Sequence, residues 1–73
     1  MVHRPTLLNK IRELGFGYKK RQRRTDLWRK KGATNRITLP LTEELDDSYV
    51  RSVLRQNGQS EEEINRFLAA HSH

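Results

Sequence analysis

The hydrophobic positions of this chain recur with two different periods, and the periods predict its elements. Leu7, Leu8, Ile11 and Leu14 fall at i, i+1, i+4 and i+7, which is one face of a helix. Thr6 is placed to cap that helix and Gly15 to stop it in a left-handed turn, so a helix is predicted over residues 6–14, with 1–5 as a short leader. Its polar face carries Asn9, Lys10, Arg12 and Glu13. From Phe16 the period drops to two. Residues 16–22 read as a strand with Phe16 and Tyr18 on one side and Lys19 and Arg21 on the other.

A second strand is predicted over 25–30 and a third over 35–39. They are joined by a hairpin turn at 31–34 in which Gly32 is free to take positive φ. In the third strand Ile37 and Leu39 point one way, Arg36 and Thr38 the other, and Pro40 either ends the strand or sits on an edge. Residues 42–47 are acidic and turn-like. Tyr49, Val50, Val53 and Leu54 then restore helical spacing up to Asn57-Gly58. Ser60 and Glu63 form a capping-box signature before a last helix whose stripe is Ile64, Phe67 and Leu68.

The expected fold class is α+β in the order α-β-β-β-α-α. A three-stranded antiparallel sheet carries helices on one face, and the other face is open to solvent. Seventy-three residues make one domain, 1–73, with a core over about 6–68. There is no cysteine, and no apolar run of a length that spans a bilayer or serves as a signal peptide, so a soluble cytoplasmic protein is expected.

Charge changes the picture most. Residues 19–36 hold nine cations (Lys19, Lys20, Arg21, Arg23, Arg24, Arg29, Lys30, Lys31 and Arg36) against one acid, Asp26. That is +8 within 18 residues of a chain whose net charge is +6, so the remainder is net acidic. A folded ribbon so dense in cations, at a pI near 10.3, is matched to a polyanion: nucleic acid, an anionic membrane or an acidic protein. Charged strands also keep a small protein soluble and discourage edge pairing, but nine cations on one hairpin exceed that need. No amphipathic helix here has a basic face, so the membrane ranks last.

Other chemistry is sparse. The three histidines, His3, His71 and His73, all lie in the terminal few residues and read as exposed tail positions; the sequence shows no cluster of metal ligands, so neither metal nor cofactor is expected. Asp46-Asp47 and Glu61-Glu62-Glu63 read as helix N-terminal acids complementing the macrodipole rather than as a magnesium site. Trp28 has two readings, a core anchor or an exposed ring that stacks on a splayed base. Its strand parity opposes Leu27, so one of the two faces the helices and the other faces solvent.

Three segments together resemble one family, the HicA-type mRNA-interferase toxins of toxin–antitoxin pairs. They are the helix running into Leu14-Gly15-Phe16, the hairpin Leu27-Trp28-Arg29 … Gly32 … Arg36-Ile37-Thr38-Leu39-Pro40, and Glu44-Leu45 followed by Ser48-Tyr49-Val50-Arg51-Ser52-Val53-Leu54-Arg55-Gln56-Asn57-Gly58. The last is the most specific, because its polar positions agree with the family as well as its apolar ones. The resemblance implies a double-stranded-RNA-binding-domain-like fold, RNA as ligand and a small antitoxin-like protein as partner. It also implies a catalytic histidine on the second strand, and that position falls on Thr25 or Asp26 here, depending on register. An imidazole suits 2′-hydroxyl deprotonation at neutral pH; a threonine cannot replace it unaided, and a carboxylate among so many cations is a poor base.

The expectation is therefore a HicA-like RNA-binding protein with Lys19, Lys20, Arg21, Arg23, Arg24, Arg29, Lys30 and Arg36 on the phosphates. Two readings of the chemistry stand at this point: a ribonuclease with a replacement base, and a binding relative that leaves RNA intact. A third reading, from a different class, is a protein-interaction module whose basic hairpin binds an acidic antitoxin-like partner without nucleic acid.

Overall fold

The computed structural model describes residues 1–73 as β1 (Val2–His3), α1 (Arg4–Glu13), β2 (Gly17–Arg21), β3 (Thr25–Arg29), β4 (Arg36–Pro40), β5 (Glu44–Leu45), α2 (Asp47–Gln56) and α3 (Glu61–His71). Helix α1 starts before Thr6, with Pro5 in its first turn, where the missing N–H costs nothing and the fixed φ is already helical. It ends in a Schellman motif. Gly15, at φ 98°, lets its own N–H reach the Arg12 carbonyl at 3.0 Å and the Phe16 N–H reach the Ile11 carbonyl at 3.0 Å. Phe16 and Ile11 are both buried, so the cap that closes the helix also turns the chain into the core.

Helix α2 ends the same way, Gln59 N–H donating to the Leu54 carbonyl at 3.0 Å and Gly58 N–H to Arg55 at 3.2 Å. Helix α3 opens on the expected capping box: the Glu63 N–H donates to Ser60 Oγ at 3.1 Å and the Ser60 N–H to Glu63 Oε1 at 3.0 Å.

The three-stranded antiparallel sheet has the order β2-β3-β4. Between β3 and β4 the pairing is regular, Trp28 opposite Ile37 and Asp26 opposite Leu39. Between β2 and β3 it is not: Tyr18 pairs with Trp28 and Lys20 with Leu27, leaving Lys19 as the extra residue of a bulge. The helices cover the face that carries Trp28, Ile37 and Leu39, which join Leu7, Ile11, Val50, Leu54 and Ile64 in one hydrophobic core.

The leader and the acidic turn are the parts the hydrophobic pattern did not foresee. Val2–His3 and Glu44–Leu45 pair as a second, two-stranded antiparallel sheet, Val2 opposite Leu45 and His3 opposite Glu44. Val2 is fully buried and belongs to the core. Two residues are too few to show a period, so nothing in the local pattern marked either strand. No helix is long and apolar enough to cross a membrane.

Candidate nucleic-acid interface

Strand parity distributes the basic ribbon. On the sheet face turned away from the helices stand Thr25, Leu27 and Arg29 from β3, Arg36, Thr38 and Pro40 from β4, and Lys20 from β2. The bulge sets Lys19 beside Lys20, both against Leu27. No acidic side chain lies on this face, because Asp26, the one acid of the ribbon, has the opposite parity and is buried against the helices. Arg29 and Arg36 are directly opposed cross-strand partners. Leu27 is only 7% exposed yet lies outside the main core.

Two further groups of cations sit at the ends of the sheet. Arg23 and Arg24 are in the β2–β3 turn, closed by the Gln22 N–H donating to the Thr25 carbonyl at 2.8 Å. Lys30 and Lys31 are in the β3–β4 turn, but the Lys30 side chain, with the same parity as Trp28, lies over Gly15 at the end of α1 and not on the outer face as expected. All nine cations of the ribbon are exposed, and Arg21 alone is paired with an acid.

Arg21 is where the expected arrangement changes. The alternation predicted Arg21 on the side opposite Tyr18, but the bulge at Lys19 adds one residue, and Arg21 comes round to the helix side opposite Asp26. There its Nε donates to Asp26 Oδ1 at 2.9 Å and its Nη2 to Oδ2 at 3.3 Å. Arg4, from the segment read as a leader, closes the carboxylate from the other side: its Nη2 donates to Asp26 Oδ2 at 2.7 Å and its Nε to the Pro40 carbonyl at 2.9 Å. Hydrogen bonds from Arg21 and then Arg4 hold the Asp26 carboxyl below its ordinary value of 3.8, against the opposing effect of burial, and Asp26 in turn raises Arg21.

Of the two positions where the sequence resemblance led to the expectation of a histidine, Thr25 is half-buried on the outer face, and Asp26 is locked in an ion triad behind the sheet. A carboxylate kept ionised by two guanidiniums has little basicity to offer a substrate.

Trp28 takes the core reading. It is 4% exposed on the helix side, with the Tyr18 ring edge-on at a centroid distance of 5.6 Å and the Arg12 guanidinium 5.3 Å from its ring centre. Tyr18, half exposed beside it, is an aromatic ring at the sheet margin.

The two edges of the sheet differ. The β4 edge is covered in part, with the half-buried Tyr49 hydroxyl of α2 donating to the Thr38 carbonyl at 2.7 Å. Burial raises the Tyr49 hydroxyl above its ordinary pKa, which keeps it a donor. The β2 edge is bare along all five residues and is guarded only by its lysines, its arginine and the bulge.

Comparison with family models, with curated proteins and with solved structures gave no match.

Proposed function

We propose that this chain is a HicA-like RNA-binding protein with a double-stranded-RNA-binding-domain-like fold, which lays its outer sheet face along an RNA backbone. Lys19, Lys20, Arg29 and Arg36 are the central phosphate contacts, with Arg23 and Arg24 flanking them; Arg21 is withdrawn to a structural role, and Lys30 is turned away from this face. The observation that carries the proposal is the direct opposition of Arg29 and Arg36 on a face without an acid. Like charges directly across a strand pair destabilise a sheet, and an anion laid between them relieves that cost. Contacts of this kind position the RNA and contribute affinity without reading its sequence.

The binding reading is favoured over cleavage. Asp26 is engaged by two arginines, and Thr25 has no partner base on its face, so neither supplies the proton acceptor that 2′-hydroxyl attack needs. Such a protein works in the cytoplasm and can be held by a small antitoxin-like partner over the same face.

The test uses labelled single-stranded and duplex RNA, followed by fluorescence anisotropy and on a denaturing gel. Four central contacts predict a roughly 50- to 150-fold loss of affinity between about 50 and about 200 mM salt, and a slope that falls by about 0.7–0.9 for each of Arg29→Ala and Arg36→Ala. The RNA stays intact on the gel, and Thr25→His is the variant expected to gain cleavage. Salt-independent binding, or binding only to an acidic protein and not to RNA, would overturn the proposal.

A further inference from the structure

The residues that close the chain on itself form a second site, unrelated to the basic face. Strand β1 is flanked by β5 on one side and by the C-terminal segment on the other. His3 pairs with Glu44, Val2 bridges Ser72, and the His73 N–H donates to the Met1 carbonyl at 2.8 Å. Parity then decides which side chains meet. Val2 and Leu45 point into the core, so His3 and Glu44 point outward, and His73, in register with Met1, joins them on the outer side.

The result is two imidazoles gathered on one carboxylate. His73 Nε2 hydrogen-bonds Glu44 Oε1, His3 Nδ1 lies 3.7 Å from the same oxygen, and the two rings stack at a centroid distance of 4.4 Å. One ligand atom from each residue lies within 4.8 Å of the others. A carboxylate oxygen only accepts, and the nitrogen of a neutral imidazole that lacks the proton also only accepts. A single cation placed among the three satisfies all of these lone pairs together.

We infer that His3, Glu44 and His73 form a binding site for a divalent transition-metal ion of the zinc class, with solvent completing the coordination. Zinc accepts nitrogen from histidine and oxygen from glutamate at about 2.0–2.2 Å, so tetrahedral ligand atoms stand about 3.3–3.5 Å apart, and the three ligand atoms here already lie within 4.8 Å of one another. Two nitrogen donors out of three disfavour magnesium and calcium, which prefer all-oxygen sets. The ligands come from three backbone segments held by hydrogen bonds, far apart in sequence, and a shared ion fastens the first strand, the β4–α2 connection and the chain's last residues together. Metal binding is then folding energy, because the unfolded chain does not hold these groups together.

The experiment is thermal unfolding of the untagged full chain with zinc or with chelator, and cobalt(II) titration read by visible absorption. Zinc at a hundredfold excess over its Kd is expected to raise Tm by roughly 10 °C or more. Cobalt is expected to produce the strong visible bands of a four-coordinate site. Both signals disappear in His3→Ala and in Glu44→Gln and persist in His71→Ala, whose ring lies against Phe67 and not in the cluster. The two loss variants are checked for folding in chelator, and either one alone suffices if the other is unfolded. The site is refuted if zinc leaves Tm unchanged and cobalt stays colourless, if both responses survive His3→Ala and Glu44→Gln, or if His71→Ala abolishes them too.

Discussion

Asp26 is the residue on which the charge distribution turns. Its parity takes the ribbon's one carboxylate away from the outer face, and Arg4 and Arg21 neutralise it behind the sheet. Arg4 is the more buried of the two partners, at 18% side-chain exposure against 62% for Arg21, and it also ties down the end of β4 through the Pro40 carbonyl. Replacing Arg4 by glutamine is therefore the more damaging of the two single changes, since it leaves both a buried carboxylate and a carbonyl short of a donor. The pH dependence has a definite sign. Because the folded-state pKa of Asp26 lies below the ordinary 3.8, its stabilising effect is complete above that value and is lost as pH falls through it towards the lower folded value. Urea unfolding is expected to show Asp26→Asn less stable than the parent at pH 7, with the difference shrinking in acid below pH 3.8. A gap of constant size from pH 7 down into strong acid would assign the effect to packing instead.

Among the elements, the two Schellman caps share a geometry and differ in surroundings. Gly15 has φ 98° and Gly58 φ 88°, so a side chain at either is strained by the left-handed backbone. At Gly58 nothing else lies within 4 Å, whereas a β-carbon at Gly15 would come 3.1 Å from Lys30 Cε. Gly58→Ala is expected to cost about 1 kcal/mol, the usual price of a non-glycine in this region, and Gly15→Ala more, because the Lys30 stem must also move. Thermal melts of the two variants, about 4–8 °C lower per kcal/mol for a domain of this size, compare them directly. Equal losses would mean that the Lys30 stem moves aside freely. The bulge in β2 is the other element of consequence: one extra residue, Lys19, keeps two lysines against Leu27 on the outer face and returns Arg21 to the inner one.

For the whole molecule, the balance is between a cohesive inner face and a self-repelling outer one. Leu7, Ile11, Leu39, Leu54 and Ile64 are fully buried, and truncating any of them to alanine costs about 2–5 kcal/mol. On the outer face the cations have no acids to offset them, so removing one there is expected to leave stability unchanged or to raise it by a few tenths of a kcal/mol. Arg36→Gln should thus hold or raise Tm in low salt while weakening RNA binding. Stability and affinity that fell together would mean that Arg36 serves the fold rather than a ligand. This opposition of effects distinguishes a surface shaped for a polyanion from one shaped for solubility.

Much of the architecture was legible in the chain. The helical spacing of Leu7, Ile11 and Leu14, the alternation of Ile37 and Leu39, and the Ser60–Glu63 box each specify an element through contacts between near neighbours, and each element is present. Periodicity also required that either Leu27 or Trp28 face the helices, without saying which. What the sequence by itself determined was six of the eight elements, all but β1 and β5, with their order and the density of positive charge on one ribbon, because these depend on local backbone preference and on composition. Tertiary structure alone decided that Trp28 is inside, that a bulge moves Arg21 to the helix side, that Arg4 meets Asp26 across 22 positions, and that His3, Glu44 and His73 converge. Those are pairings between segments distant in sequence, and only packing the core brings such segments together.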